Sequence, residues 1–196
     1  MIHSDWGDWL PRAVADANPE GLALWYLGCN GFVLKSADGT TVFVDPYLGT
    51  GDPPRTVRMI PVPFDPTDVE VADALFATHE HSDHVDGPSQ APILAETGAT
   101  YYGPSASVDP IRDDWPDRWD VGSGQFETVA DGDTLSIGDL SISVHDANDP
   151  DAEKPVAYVF EHEAGTFVHG GDARPGQFGP IADAYDVDLA ALAFGS

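Results

Sequence analysis

The stretch Ala77-Thr78-His79-Glu80-His81-Ser82-Asp83-His84 decides how the rest of the chain is interpreted. It follows an apolar run at 74–77 that is typical of a short buried strand. His79 and His81 are two positions apart, so an extended or looped backbone points both rings the same way. An aspartate and a third histidine arrive from the turn that follows. The alternative is a solvated His-rich loop, which such tight clustering disfavours in a chain with only 7 histidines.

This residue set predicts a metal site. Neutral imidazole nitrogen and carboxylate oxygen are ligands for zinc, manganese or iron, and an ion needs several of them to converge. The pattern favours zinc or manganese, with iron also compatible.

Composition restricts the classes of partner. Lys and Arg total 8 against 34 Asp and Glu, which gives a formal net charge of -26. Nucleic acids and anionic membranes are bound mainly through Lys and Arg, so neither is expected as a partner. The acids are spread along the chain, which favours adaptation to a very salty (halophilic) cytoplasm over an acidic docking face. We therefore predict an acidic protein whose fold needs high salt.

Length and termini indicate a cytoplasmic, single-domain protein. The 196 residues contain 42% hydrophobic side chains and one cysteine, so no disulfide within the chain is expected. The first residues lack a signal-peptide pattern, and no apolar run reaches the roughly 20 residues that span a bilayer. Residues 1–20 read as a leader packed on the body, with Trp6 and Trp9 packed in the core; a lid over a site is the alternative role of these tryptophans. Residues 21–196 form the main domain.

Periodicity predicts alternating groups of strands and helices. Strands are expected at 22–27, 32–36, 41–44, 74–77, 99–103, 125–129, 134–137, 140–144, 156–161, 166–169 and 187–194, the last one buried. Helices are expected at 88–98, at 105–112 and within 174–185, and residues 113–120 read as a surface excursion. This order fits a layered α/β (α+β) architecture better than a doubly wound sheet.

Four segments together resemble one family. His79-x-His81-x-Asp83-His84 after a hydrophobic strand resembles the signature of the metallo-β-lactamase superfamily, and the surroundings most resemble its L-ascorbate 6-phosphate lactonase-like branch. Leu-Gly-Cys-Asn-Gly-Phe at 27–32, Val-Phe-Val-Asp-Pro-Tyr at 42–47 and His-Gly-Gly-Asp at 169–172 support the resemblance in the same order. It runs from about residue 22 to the C-terminus. The resemblance implies an αββα sandwich with two metals at one edge between the sheets.

The resemblance also implies a ligand set. The implied metal ligands are His79, His81, Asp83, His84, His145 and Asp172. His79 and His81 serve the first metal, Asp83 and His84 the second, and Asp172 bridges the two. His145 is chosen as the third ligand of the first metal because it stands where a strand leaves the sheet, with Asp146 and Asp149 as rivals.

Two further residues are expected beneath the ligands. The resemblance places Asp45 there, orienting a ligand histidine, since a ligating imidazole usually donates its other N–H to an oxygen. A plain strand-ending turn residue is the alternative for Asp45. His169 is expected to be packed, or to lie behind the ligands, rather than to ligate.

Such a site favours hydrolysis. Two divalent ions about 3.5–4 Å apart lower the pKa of a water from about 15.7 to about 7, which yields a bridging hydroxide. We expect a metal-dependent hydrolase that acts on a small anionic ester, lactone or phosphodiester, with Asp83 passing the proton to the leaving group. The loop 49–67 carries Arg55 and Arg58, which either hold an anionic group or pair with surface acids. No substrate-binding residue is assigned, and homo-oligomer formation stays open.

An alternative function follows from the length. Relatives of this branch continue past residues 194–196 and supply one more histidine to the second metal. The sandwich is thus expected to lack a C-terminal part. The alternative is a metal-binding but catalytically silent domain, or a truncated product that needs a partner to complete the site.

Overall fold

Two β-sheets lie face to face in the computed structural model, which describes residues 2–49, 58, 60–174, 176 and 178–193. The first sheet contains, in spatial order, β1 (Ala23–Gly28), β2 (Gly31–Lys35), β3 (Thr41–Val44), β4 (Ala74–Phe76), β5 (Thr100–Gly103) and β6 (Phe126–Thr128). The second contains β7 (Thr134–Ile137), β8 (Leu140–Asp146), β9 (Val156–His162), β10 (Gly165–His169) and β11 (Leu189–Ala191), in the spatial order β11-β10-β9-β8-β7.

The helices lie outside the two sheets. They are α1 (Trp9–Asp16), α2 (Gly87–Thr97), α3 (Ser105–Arg118) and α4 (Gly179–Ala184). The chain enters α2 at Asp86, whose side chain accepts from the Ser89 N–H, and leaves it at Gly98 in the left-handed conformation. In the described part of the chain, no helix is long and apolar enough to cross a membrane.

Alternation along the strands divides the core into layers, because neighbouring strand residues point to opposite faces. Val42 and Val44 of β3 join the cluster between the sheets, whereas Phe43 joins the cluster under α1, α2 and α3. In β9, Tyr158 faces the opposite sheet, and its neighbours Ala157 and Val159 contact the α4 side. The layers are therefore helix, sheet, sheet, helix, which confirms the predicted αββα sandwich.

Helix α3 is longer than predicted. The surface excursion expected at 113–120 is wrong, because the helix continues to Arg118 despite Pro110 and Pro116. Trp115 is buried, and its ring packs edge-on against Tyr101 and Phe126. Burial of this indole outweighs the poor helix propensity of the acidic, proline-containing sequence around it.

Two expectations about burial are wrong. Trp6 and Trp9 are 50% and 60% exposed, and α1 instead buries Leu10 and Val14 in the cluster under the helices. The last strand, β11, is an edge strand with Leu189 51% exposed, not a buried strand. The predicted helix within 174–185 is confined to α4. The boundary between residues 20 and 21 stays a prediction.

The carboxyl ends of several strands lie at one edge of the sandwich, where the predicted site residues follow them. Strands β3, β4 and β5 are parallel, so their carboxyl ends meet at the same edge. The Val156 N–H donates to the Thr78 carbonyl at 2.9 Å, which ties the second sheet to the first at this edge.

Candidate metal centre

Five loops meet at this edge, each leaving the end of a strand. Asp45 follows β3, and the His79–His84 segment follows β4. Asp149 lies on the loop between β8 and β9, Asp172 follows β10, and Asn30 lies in the turn between β1 and β2. Side chains far apart in the sequence are thus brought to one place by the ends of the two sheets.

The first ligand group contains His79, His81 and Asp149, whose candidate ligand atoms lie within 4.8 Å of one another. His79 Nε2 is 2.9 Å from His81 Nδ1 and 3.7 Å from Asp149 Oδ2. Asp149 Oδ2 is 3.8 Å from His81 Nδ1. Two atoms each about 2.1 Å from one ion are at most about 4.2 Å apart, so all three separations suit a shared cation.

The second group contains His79, His84 and Asp172. His84 Nε2 is 3.6 Å from Asp172 Oδ2 and 4.0 Å from Asp83 Oδ2. This nitrogen is buried and has no hydrogen-bond partner among the described residues. A buried ring nitrogen without a partner is costly, and a cation in place of its hydrogen would supply a partner. One ring nitrogen binds one ion, so with His79 in the first group the second group keeps His84, Asp172 and the nearby Asp83, and the two sets then fit a pair of divalent cations.

Asp45 lies beneath this pair and is fully buried. Its Oδ1 accepts from the Thr78 N–H at 2.9 Å, and its Oδ2 accepts from Thr78 Oγ1 at 2.7 Å. The same Oδ2 faces His84 Nδ1 and His169 Nε2, each at 2.9 Å. Burial acts to raise the pKa of Asp45, but the two histidines and the hydrogen bonds hold that pKa well below its usual range.

The histidines of the centre differ in protonation. Burial opposes the charged form of His84, but Asp45 and Asp172 outweigh burial and raise the pKa of His84 to about 10. Burial and the neighbouring His84 lower the pKa of His79 to about 4, so His79 is neutral at pH 7. The facing His84 ring lowers the pKa of Asp172 despite partial burial. At neutral pH, a cation would meet a neutral His79 and an ionised Asp172, and would displace a proton from His84.

The predicted ligands are not all placed together. His79, His81, His84 and Asp172 converge, and Asp83 lies beside His84. His145 belongs to neither group, and its Nε2 is 2.9 Å from the Tyr185 hydroxyl. Its rival Asp149 occupies the third place of the first group. Which of these residues binds metal stays a prediction.

Sequence reasoning missed Asn30 and Thr78. Asn30 donates from Nδ2 to Asp172 Oδ1, which leaves Asp172 Oδ2 directed at His84. Thr78 Oγ1 lies 3.0 Å from His79 Nδ1 and 3.1 Å from His84 Nδ1, besides bonding Asp45. A signal for Asn30 existed, since it lies in the 27–32 segment that carried the resemblance.

Arg58 supports the centre from behind. Its guanidinium donates to the carbonyls of Leu27, Tyr47 and Pro61, so it fixes the turn that carries Asn30. Because the Arg58 guanidinium is occupied by backbone carbonyls, neither of its two expected roles, an ion pair with a surface acid or a contact with an anionic substrate group, is favoured. Arg55 lies outside the described residues.

Gly171 allows the second sheet to approach the first. Its φ is +54°, and a Cβ there would lie 2.7 Å from Thr78 Oγ1. Only glycine fits both the left-handed backbone and this contact, and Asp172 is the next residue. Two non-glycine residues of the centre, Cys29 and Asp45, also have positive φ, at 53° and 44°. Backbone conformations of this kind concentrate at functional sites.

Comparison with known proteins agrees with this architecture. Residues 40–195 match the family described as the beta-lactamase superfamily domain. The chain belongs to the metallo-β-lactamase superfamily. This membership confirms the resemblance drawn from the four segments and, through the fold, implies divalent metal ions.

The curated relatives have a modest sequence identity to this chain. The probable L-ascorbate-6-phosphate lactonase of Escherichia fergusonii is 27% identical over 237 residues, which cover 97% of this chain and 66% of the relative. The chain thus spans just under two thirds of the length of the curated relatives that it matches.

Solved structures show the same fold at lower identity. CmlA, a diiron beta-hydroxylase from Streptomyces venezuelae, has a TM-score of 0.63 at 21% identity, covering 89% of this chain and 35% of CmlA. A metallo-beta-lactamase fold protein from Bacillus subtilis, YhfI, has a TM-score of 0.52 at 16% identity, covering 97% of this chain and 66% of that protein.

Proposed function

We propose that this protein is a metal-dependent hydrolase of a small anionic ester, lactone or phosphodiester. The observation that supports the proposal most is the convergence of two ligand groups on His79, one of which contains the buried, partnerless His84 Nε2. The lactonase relative is consistent with this reaction class. Zinc, manganese and iron all suit imidazole and carboxylate ligands, so the metal stays open.

A pair of divalent ions, when bound, would supply an activated water and polarise the bond that is cleaved. Asp45 would hold His84 with Nε2 directed at a cation, and Asn30 would hold Asp172 through Oδ1. Asp83 is partly exposed, with Oδ2 4.0 Å from His84 Nε2, so it lies between the candidate centre and solvent. We assign Asp83 the transfer of a proton from the attacking water to the leaving oxygen. One water then cleaves the bond into an acid and an alcohol.

The distribution of cations supports an anionic substrate. Lys and Arg total 8, and Arg55 is outside the described part of the chain, which leaves seven. Five of these have protein partners: Arg12, Lys35, Arg58, Arg112 and Arg118. Lys154 and Arg174 have none among the described residues. Arg12 and Arg118 pair with acids, whereas Lys35, Arg58 and Arg112 donate to backbone carbonyls, so Lys154 and Arg174 are the two described cations whose charged groups stay available to a ligand.

Lys154 and Arg174 both lie on loops of the candidate centre. Lys154 follows Glu153, whose N–H donates to Glu80 Oε1 at 2.8 Å, on the loop that carries Asp149. Arg174 is two residues beyond Asp172, and its N–H donates to the Asn148 carbonyl at 2.9 Å. We therefore propose these two side chains as the groups that attract a carboxylate or phosphate of the substrate.

Metal counting with turnover measurements tests the proposal. Mass spectrometry of the wild type should find close to two ions per chain, and His81→Ala should lose one of them together with hydrolysis of a panel of phosphorylated lactones and phosphodiesters. Asp83→Asn keeps a side-chain oxygen that can bind the second metal, so it should retain metal while turnover falls about 10²–10⁴-fold, the usual contribution of proton transfer. His3→Ala, which changes a side chain 77% exposed, is the control and should change neither quantity. Full turnover in His81→Ala would overturn the assignment.

Metal counting with turnover measurements also distinguishes the hydrolase from the alternative function, a catalytically silent domain or a truncated product that needs a partner. A catalytically silent domain would bind one ion or none and hydrolyse no member of the panel. Light scattering at high salt would then show whether a second subunit joins the chain. Recovery of turnover on association would identify a partner that completes the site.

A further inference from the structure

A second histidine contacts Asp45 from the opposite sheet. His169 ends β10, is 1% exposed, and has Nε2 2.9 Å from Asp45 Oδ2. Asp45 and His84 belong to loops of the first sheet, so this contact joins the two sheets directly beneath the candidate metal centre. His169 is three residues before Asp172 on the same chain segment.

The surroundings of His169 allow one hydrogen bond and no more. Its ring lies against Phe32 and Phe167, with centroid separations of 5.5 and 6.3 Å. Its Nδ1 is buried and has no partner among the described residues. A hydrogen on Nδ1 would be a buried, unpaired donor, so the geometry favours the hydrogen on Nε2, where Asp45 accepts it. His169 therefore donates to Asp45 and to no other described residue.

This single bond bears on the orientation of His84. Asp45 Oδ2 faces Thr78 Oγ1, His84 Nδ1 and His169 Nε2. A carboxylate held from several sides cannot rotate away from His84, so His84 keeps its Nδ1–H on Asp45 and its Nε2 directed at the candidate centre. Partners of this kind behind a ligand typically change metal affinity by about 10–100-fold when removed.

We propose that His169 is a positioning residue that acts through Asp45 to set the tautomer and direction of His84. The inference rests on the metal centre proposed above. It also gives the segment 169–172 a double role, because one end supports His84 and the other end presents Asp172. The simpler role for His169 is to satisfy a buried carboxylate, which would affect stability alone.

The test compares variants at position 169 that differ in whether a side-chain N–H group can reach Asp45 Oδ2. In His169→Gln the side-chain amide can occupy the place of Nε2, whereas in His169→Asn it is one methylene too short. His169→Leu removes the donor. The control is His162→Leu, since His162 Nε2 also faces a carboxylate, Asp139 Oδ2 at 3.2 Å, with a side chain 5% exposed but no contact to the ligand groups.

Two readouts are measured, both in the full chain. Zn²⁺ affinity is obtained by competition with a chromophoric chelator, and the tautomer of His84 by ¹⁵N NMR of the zinc-bound protein. His169→Leu and His169→Asn should bind one of the two zinc ions about 10–100-fold more weakly and lose the Nδ1–H form of His84. His169→Gln should retain both properties. His162→Leu should lower the melting temperature without changing zinc affinity.

The outcomes are distinguishable. A wild type that binds no zinc would overturn the proposed function and this inference with it. A wild type that binds two ions, with unchanged affinity and His84 signals in His169→Asn, would overturn the inference alone. If His169→Leu does not fold, the comparison of His169→Gln with His169→Asn decides whether His169 positions His84.

Discussion

The candidate centre has two sides that differ in burial. The buried wall comprises Asp45, Thr78, His79 and His84, all within 1% of complete burial. The exposed wall comprises His81, Asp149 and Asp172, with side chains 36%, 10% and 37% exposed. The members of both walls lie on loops, but those of the buried wall are joined to one another by Asp45 and Thr78, whereas those of the exposed wall do not contact Asp45. We therefore expect the buried wall to contribute more to the stability of the site.

Replacing Asp45 should give the largest effect. Asp45→Ala leaves Thr78, His84 and His169 buried without their acceptor, so the free energy of unfolding should fall by about 3–5 kcal/mol. Asp149→Ala, on the exposed wall, should cost no more than about 1 kcal/mol. Both are measured by denaturant unfolding of the chelated protein. Equal losses in the two variants would remove the distinction between the walls.

The pH dependence of the metal-free protein should be the next largest effect. The pKa of His84 is raised to about 10, above the usual value of about 6.5 expected in the unfolded chain. The protonated ring therefore contributes stability that is complete below pH 6.5 and is lost as the pH rises through 10. The loss should amount to a few kcal/mol, at about 1.4 kcal/mol per pKa unit.

Unfolding of the chelated protein between pH 6 and 10 checks this dependence. Zinc-loaded protein should not show the decline, because the metal holds His84 in its neutral form. His84→Gln should remove the decline from the metal-free protein. A decline of the same size in His84→Gln would show that another group causes it.

Metal affinity should separate Asp149 from His145. Asp149→Ala should lower the affinity for the first metal by more than about 100-fold. That loss exceeds the largest usually seen when a residue behind the ligands is replaced, so it would identify Asp149 as a ligand. His145→Ala should keep both metals, because its ring lies on the Tyr185 hydroxyl. Equilibrium dialysis with zinc and with manganese measures both. Loss of a metal in His145→Ala and not in Asp149→Ala would restore the histidine ligand that the resemblance implied.

A glycine pair should show the smallest effect. Gly132→Ala places a side chain at φ +88° with no atom within 4 Å, so its cost should be the backbone strain alone, about 1–2 kcal/mol. Gly171→Ala adds the contact with Thr78 Oγ1 and should cost more. Only Gly171→Ala should also weaken metal binding, since it displaces Asp172. Thermal unfolding and zinc titration of both variants make the comparison, and identical results would mean that the Thr78 contact is unimportant.

Much of the fold was predictable because its signals are local. Strands such as 41–44 and 134–137 alternate apolar and polar faces or lie between turn residues, and their bounds agree with β3 and β7. Helix α3 was underestimated because the burial of Trp115 depends on Tyr101 and Phe126, which local sequence does not place. The exposure of Trp9 depends in the same way on which face of α1 meets the sheet.

The sequence alone indicated His79, His81 and His84 as candidate ligands, because they lie within six positions of one another directly after a strand. Tertiary structure alone decided which distant residues complete the centre. Asp149 instead of His145, Asn30 on Asp172 and His169 on Asp45 are contacts across 70 to 142 positions. Contacts of this kind follow from how two sheets meet at one edge, and no local pattern encodes that meeting.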